Sequence, residues 1–150
     1  MTSFPDTSFL CSLYRQQVFT PKVLRFMAKQ AGALPVSALL LLEFRQSIRL
    51  QIRLHAQDRT KGFSRHEGHA MLRDVQSDLH HKILEVVPVD WVEVHQLAEM
   101  LSAKFTEEQG HRLADILHIA TALSLGAEAF LTFDAKQKSL AVAEGMHVPW

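Results

Sequence analysis

A chain of 150 residues, 47% hydrophobic and 21% charged, is long enough to bury a sizeable core and is expected to form a single domain over residues 1–150. Sixteen Lys and Arg against sixteen Asp and Glu leave no net charge, so no global field draws the chain onto nucleic acid, and any such binding must come from a local patch. The single cysteine, Cys11, excludes an internal disulfide and a thiolate zinc cluster and fits a reducing, cytoplasmic setting.

Short strands alternate with helices along the chain. A very short strand-like segment closes at Asp6, and Pro5 removes one ladder donor from it. A helix over "FLCSLYRQQ" follows, then one near residues 21–30, with Pro21 suited to its first turn and Gly32 to its exit. "LPVS" reads as a strand leading into the long helix "LLLLEFRQSIRLQIRLHA", which carries Leu41, Phe44, Ile48 and Ile52 on one face. A polar turn precedes a helix near residues 65–82, and the β-branched run "ILEVVPV" is the clearest strand. Asp90 opens the next helix, with Glu93 as a capping-box partner, and that helix fades in "TEEQG". "HRLADILHIATALSLG" is a helix closed by Gly126, "AFLTF" a strand, "AKQKSLAVAEG" a helix and "MHVPW" a final short strand.

This alternation predicts an α/β fold: a three-layer α/β/α domain around a short, mostly parallel central sheet. In such sheets ligands gather outside the carboxyl ends of the strands. The apolar run "ALLLL" is far short of the roughly 20 residues a bilayer span needs, and "MTSFPDTSF" lacks the basic and apolar regions of a secretory signal, so no membrane association is expected.

Asp6 and Asp134 each close a strand, and Glu43 lies in the second turn of the helix leaving "LPVS". All three therefore project towards one edge of the sheet. Each of the first two has two readings. Asp134 either caps the next helix, with Gln137 completing a capping box, or is a ligand at a strand end. Asp6 either caps the first helix, as Thr7 or Ser8 could, or is a ligand too. Asp115 sits early in its helix, with Arg112 and His118 three residues away on either side, a spacing that equally suits a surface ion pair. Glu43 follows four leucines with no cation three or four residues away, so its partner must come from elsewhere in the fold. Carboxylates without cysteine suit a hard ion, Mg²⁺ or Mn²⁺, that keeps water positions open.

The nine histidines do not form a recognised zinc pattern: "HEGH" spaces His66 and His69 at i and i+3, and His80–His81 reads as solvated surface. Arg45, Arg49 and Arg53 form a stripe that begins roughly 160° around the helix from Glu43. It cannot line the same pocket; a solvated face or contact with RNA or a partner are the readings it leaves.

"PDTSFL", "LLEFRQSIR", "HRLADILHIATAL" and "LGAEAFLTFDAKQ" together resemble the PIN domain, and in particular the VapC-type toxins of bacterial toxin–antitoxin pairs, over nearly the whole chain. The resemblance implies a metal-dependent endoribonuclease. It implies that Asp6, Glu43, Asp115 and Asp134 are the catalytic and metal-holding acids, the first and third holding Mg²⁺ (or Mn²⁺) most directly. By the same resemblance Thr7, Ser8 and Thr132 are flanking hydroxyls that orient the acids, and Arg112 is a basic residue that meets a phosphate. The expected partners are an RNA substrate, a VapB-like antitoxin and a second copy of the chain. A non-catalytic PIN-like module that binds RNA or protein, or a nuclease acting on DNA, are the alternatives.

Overall fold

The computed structural model describes residues 2–150. In chain order the elements are β1 (Ser3–Pro5), α1 (Thr7–Tyr14), α2 (Thr20–Lys29), β2 (Leu34–Val36), α3 (Ala38–Gln57), α4 (Arg65–His80), β3 (Leu84–Val86), α5 (Trp91–Leu101), a π-helical turn (Ser102–Thr106), α6 (Glu107–Gln109), α7 (Leu113–Ser124), β4 (Ala129–Leu131) and α8 (Ala135–Ala143). The fold is α/β, and every strand pairing is parallel. The pairings form two two-stranded sheets, β1 with β4 and β2 with β3. Helices intervene between the paired strands, which is what parallel pairing requires. The chain divides into two compact units, Met1–Phe9 with Val87–Trp150, and Leu10–Val86.

In the first unit, β1 runs beside β4 with Phe4 opposite Phe130 and Pro5 opposite Leu131, all buried. Pro5 has no N–H to give, and the pairing resumes one residue later, where the Asp6 N–H donates to the Leu131 carbonyl at 3.0 Å. The short strand therefore holds its register up to Asp6. Helix α5 packs along α7, which buries Ile116, Ile119, Ala120 and Ala122. "MHVPW" makes only a bridge between His147 and Ala129 rather than a strand. Pro149 can donate nothing to a longer ladder. Asp90 does cap α5, accepting from the Val92 and Glu93 amides, but the capping box is incomplete: the Glu93 carboxylate accepts a hydrogen bond from Ser124 Oγ on α7 instead.

In the second unit, Ser37 caps α3 by accepting from the Leu40 amide at 3.0 Å, and α3 buries Leu40, Leu41, Phe44 and Ile48. Each such side chain contributes roughly 1.5–3 kcal/mol of burial. A capping box between Ser64 and Glu67 starts α4, and the spacing "SRHE" carries its signature. Gly68, which would weaken an isolated helix, allows a close approach here: a Cβ at this position would stand 2.4 Å from Ile52 Cδ1 and 2.6 Å from Ile52 Cγ1 of α3. His66 and His69, beside it in the sequence, are exposed. Helix α4 ends at His80, short of the expected boundary, and β3 keeps only Leu84–Val86 of "ILEVVPV", two residues before Pro88.

Candidate functional site

Asp6 follows β1 directly, at the carboxyl end of that strand, and is fully buried at 0% exposure. A carboxylate there needs partners, and four donors supply them. Oδ1 accepts from Ser8 Oγ at 2.6 Å and from the Phe9 amide at 3.0 Å; Oδ2 accepts from Thr132 Oγ1 at 2.5 Å and from Gln137 Nε2 at 2.9 Å. The bond to Phe9 is the N-cap contact for α1, so Asp6 caps the helix and lies at a strand end at once. Burial pushes its pKa above the ordinary carboxylate range, while the bonds from Ser8, Thr132 and the Phe9 amide and the nearby charge of His118 act in the opposite sense.

The corner between β4 and α8 closes around this carboxylate. Thr132 Oγ1 accepts from the Asp134 amide at 3.0 Å, and Ser8 Oγ accepts from the Phe133 amide at 2.9 Å. Asp134 caps α8 by accepting from the Gln137 amide at 2.8 Å, and its side chain is exposed. The expected capping box is only half made. Gln137 turns its side chain inward, where Nε2 donates to the buried Asp6 carboxylate, and the Asp134 N–H that a capping box would offer it donates to Thr132 Oγ1 instead. Gln137 is 5% exposed, and its Oε1 has no hydrogen-bond partner. Trp150 braces the same corner: its indole N–H donates to the Thr132 carbonyl at 2.7 Å, and its ring stacks on Phe133 at 4.8 Å and Phe9 at 6.1 Å.

Asp115 is the third residue of α7, where the positive end of the helix favours an anion, and its side chain is 22% exposed. Arg112 Nε stands 4.0 Å from Asp115 Oδ2, with the Arg112 side chain 88% exposed. An ion pair that exposed contributes less than about 1 kcal/mol and leaves the guanidinium able to turn to another anion. His118, one turn further along α7, is buried at 1% exposure. Thr7 opens α1, half-buried, directly after Asp6.

Asp6, Asp115 and Asp134 thus belong to the first unit. Glu43 belongs to the second, where it lies half-buried in the second turn of α3 between Leu41 and Phe44. Asp6 and Asp134 are tied together through Thr132 and Gln137. Sequence reasoning missed Gln137, His118 and Trp150 as parts of this arrangement. For Gln137 the signal accounted only for the backbone: its amide caps Asp134 as the spacing predicts, while its side chain goes to Asp6.

Among the described residues, no three His, Cys, Asp or Glu side chains are grouped to hold a metal ion between them. The donor set still fits a hard divalent ion. Mg²⁺ is held through one or two carboxylates, keeping waters and substrate phosphates as its other ligands, and the acids here are oxygen donors with no thiolate among them. The partnerless Gln137 Oε1, buried beside Asp6, is a further oxygen of the same kind. All four lone-pair directions of Asp6 are taken by protein donors, so an ion reaches it only where one of those donors gives way.

A family model described as PIN domain matches residues 3–143. Among solved structures, the chain is similar to VapC20 of Mycobacterium tuberculosis, described as a Sarcin-Ricin loop cleaving toxin, with TM-score 0.65 and 18% identity over 97% of this chain and 96% of that one. It is similar to FitAcB of Neisseria gonorrhoeae with TM-score 0.64 and 17% identity, over 97% and 95% of the two chains. It is similar also to VapBC2 of Rickettsia felis, solved with a DNA fragment from the promoter, with TM-score 0.63 and 14% identity over 99% and 97%. At these identities the likeness is one of fold. No curated protein matches the chain.

Proposed function

Because the chain belongs to the PIN domain family, we propose that it is a Mg²⁺-dependent endoribonuclease, with Mn²⁺ able to substitute, and the toxin of a bacterial toxin–antitoxin pair. The observation that carries this reading is the Asp6 carboxylate, buried at a strand end, saturated by four donors and linked through Gln137 to the capping acid Asp134. So costly a buried acid is better accounted for by chemistry than by helix capping, which an exposed Asp would do as well.

In this reading Asp6, Glu43, Asp115 and Asp134 are the acids that would hold the ion, which when bound would offset the charge of a transferring phosphate. Ser8, Thr132 and Gln137 fix the rotamer of Asp6, and Thr7 flanks it. Arg112, exposed beside Asp115, meets a substrate phosphate. The second Asp134 carboxylate oxygen, not used in capping α8, orients an attacking water.

The likeness to VapC20, a Sarcin-Ricin loop cleaving toxin, and to VapBC2, bound to a DNA fragment from its promoter, supports RNA as substrate and a VapB-like antitoxin as partner. A homodimer acting in the bacterial cytoplasm is part of this proposal. No helix among the described residues is long and apolar enough to cross a membrane.

The test is cleavage of labelled RNA by the purified chain with EDTA, with Mg²⁺ restored and with Asp115→Asn. Cleavage only by the metal-loaded parent chain supports the reading. Cleavage of DNA but not RNA, or undiminished cleavage by Asp115→Asn, overturns it.

A further inference from the structure

The zero net charge of the chain conceals a segregation. The unit Leu10–Val86 carries twelve Lys and Arg against six Asp and Glu, and the unit Met1–Phe9 with Val87–Trp150 carries four against ten. Five of those twelve cations line two concavities beside the α3–α4 pair. A concavity of about 640 Å³ is lined by Arg45, Arg49, Leu72, Arg73 and Gln76. A second, of about 480 Å³, is lined by Ile52, His55, Ala56, Arg59, Ser64 and Arg65. Positions 45, 49, 52 and 56 fall within about 60° of one another around α3, as do 65, 72 and 76 around α4, so the two concavities succeed each other along a single groove.

Five arginines and no carboxylate line this groove. Among the described residues, none of the five stands in an ion pair, and Arg45 donates to Gln76 Oε1 at 3.4 Å. Unpaired like charges held side by side repel one another, and the repulsion is relieved by a polyanion. All five cations are arginine. The planar guanidinium fork grips two oxygens of a phosphate at once, which the point charge of lysine does not. From Arg45 to Ala56 the groove runs about 16 Å along α3, enough for several successive phosphates.

We propose that the α3–α4 groove binds the phosphodiester backbone of RNA, gripping it through Arg45, Arg49 and Arg73 at one end and Arg59 and Arg65 at the other. None of the four candidate acids lines it, so the groove holds the strand without taking part in the chemistry. Its contacts are to phosphates and carry no sequence information, which assigns it to affinity rather than to choice of cleavage position. The choice of RNA as ligand rests on the ribonuclease reading, but the test does not need cleavage.

Binding of a fluorescent single-stranded RNA is measured by anisotropy in EDTA, across a salt series. The parent chain is compared with Arg45→Gln/Arg49→Gln/Arg73→Gln and with a control on α2, Lys22→Gln/Arg25→Gln/Lys29→Gln, which removes the same charge from the same unit. The groove variant is expected to bind at least tenfold more weakly. Its plot of log affinity against log salt should flatten by about two, three phosphate contacts at roughly 0.7 each. The control should lose far less. A second variant, Arg45→Lys/Arg49→Lys/Arg73→Lys, keeps the charge and is expected to fall between the two, which tests the guanidinium even if the glutamine variant folds poorly. Equal losses in groove and control variants, or a lysine variant indistinguishable from the parent, would overturn the proposal. So would polyglutamate of matched charge competing as well as RNA, since the groove would then be a surface for acidic protein. A chain that binds RNA through the groove yet never cuts it would sink the nuclease reading and leave the groove standing.

Discussion

Gln137 joins two acids that lie 128 residues apart in the sequence: its side chain donates to Asp6 Oδ2 at 2.9 Å, and its backbone amide donates to Asp134 Oδ1 at 2.8 Å. A single residue in the first turn of α8 therefore sets both the rotamer of a buried carboxylate and the start of a helix. Displacing α8 would disturb both acids together.

Replacing Gln137 by Leu keeps the volume and removes the donor to Asp6. A hydrogen bond to a charged group is worth about 1.5–3 kcal/mol, so a comparable loss of stability is expected in thermal melts without metal. Direct Mn²⁺ binding, followed by electron paramagnetic resonance, should weaken at least tenfold. Gln137→Glu sets a second carboxylate against Asp6 and should destabilise most at neutral pH, recovering on acidification. Unaltered Mn²⁺ binding in both variants would mean that Gln137 only packs.

Asp6 gives the protein a pH signature. Burial raises its pKa, so above the ordinary carboxylate value of about 3.9 the native chain holds this proton more tightly than the unfolded chain. The stability contributed is full below the unfolded value and is lost as pH rises through the raised folded value. Asp6→Asn removes that loss, and with the Gln137 amide turned over, its partnerless Oε1 can accept from the new Asn side chain. Without metal, the variant should melt above the parent at neutral pH, with the gap closing towards pH 4. A gap that does not vary with pH would show that Asp6 is not the group responsible.

Asp134 allows capping and chemistry to be separated. Asn caps a helix as well as Asp, whereas Ala costs about 0.5–2 kcal/mol. Asp134→Asn should keep the parent Tm within about a degree and lose RNA cleavage by two orders of magnitude or more. Asp134→Ala should lose cleavage and also melt about 2–4 °C lower per kcal/mol. Full cleavage by Asp134→Asn would reduce Asp134 to a cap.

Gly68 tests the α3–α4 contact beneath the arginine groove. A methyl group there meets Ile52 at 2.4 Å, an overpacking that costs about 1–3 kcal/mol even though Ala favours helix more than Gly. Gly68→Ala should melt several degrees lower, and Gly68→Ala with Ile52→Val should recover part of the loss. A single variant as stable as the parent would mean that α4 can shift away from α3.

Most of the helices, and the parallel sense of the strands, were legible because periodic apolar faces and caps such as Ser37 and Asp90 act within a few residues. The four acids were legible as candidates for the same reason: each stands at a recognisable strand end or first turns of a helix. The extent of the strands was not. β1 stops after three residues, and "MHVPW" makes a single bridge, because pairing depends on a partner distant in sequence and on where proline withdraws a donor.

The amino-acid order by itself marked the acids as candidates and fixed a charge balance that forbade any global attraction to nucleic acid. Only the tertiary structure decided what each one touches. It sent the Gln137 side chain to Asp6 while its amide kept the cap of Asp134, turned Glu93 away from its cap to Ser124, and set five arginines from two helices and the turn between them around two concavities. Local patterns are set by bonds a few residues long, whereas a buried carboxylate draws donors from wherever the fold brings them near, and that cannot be read along the chain.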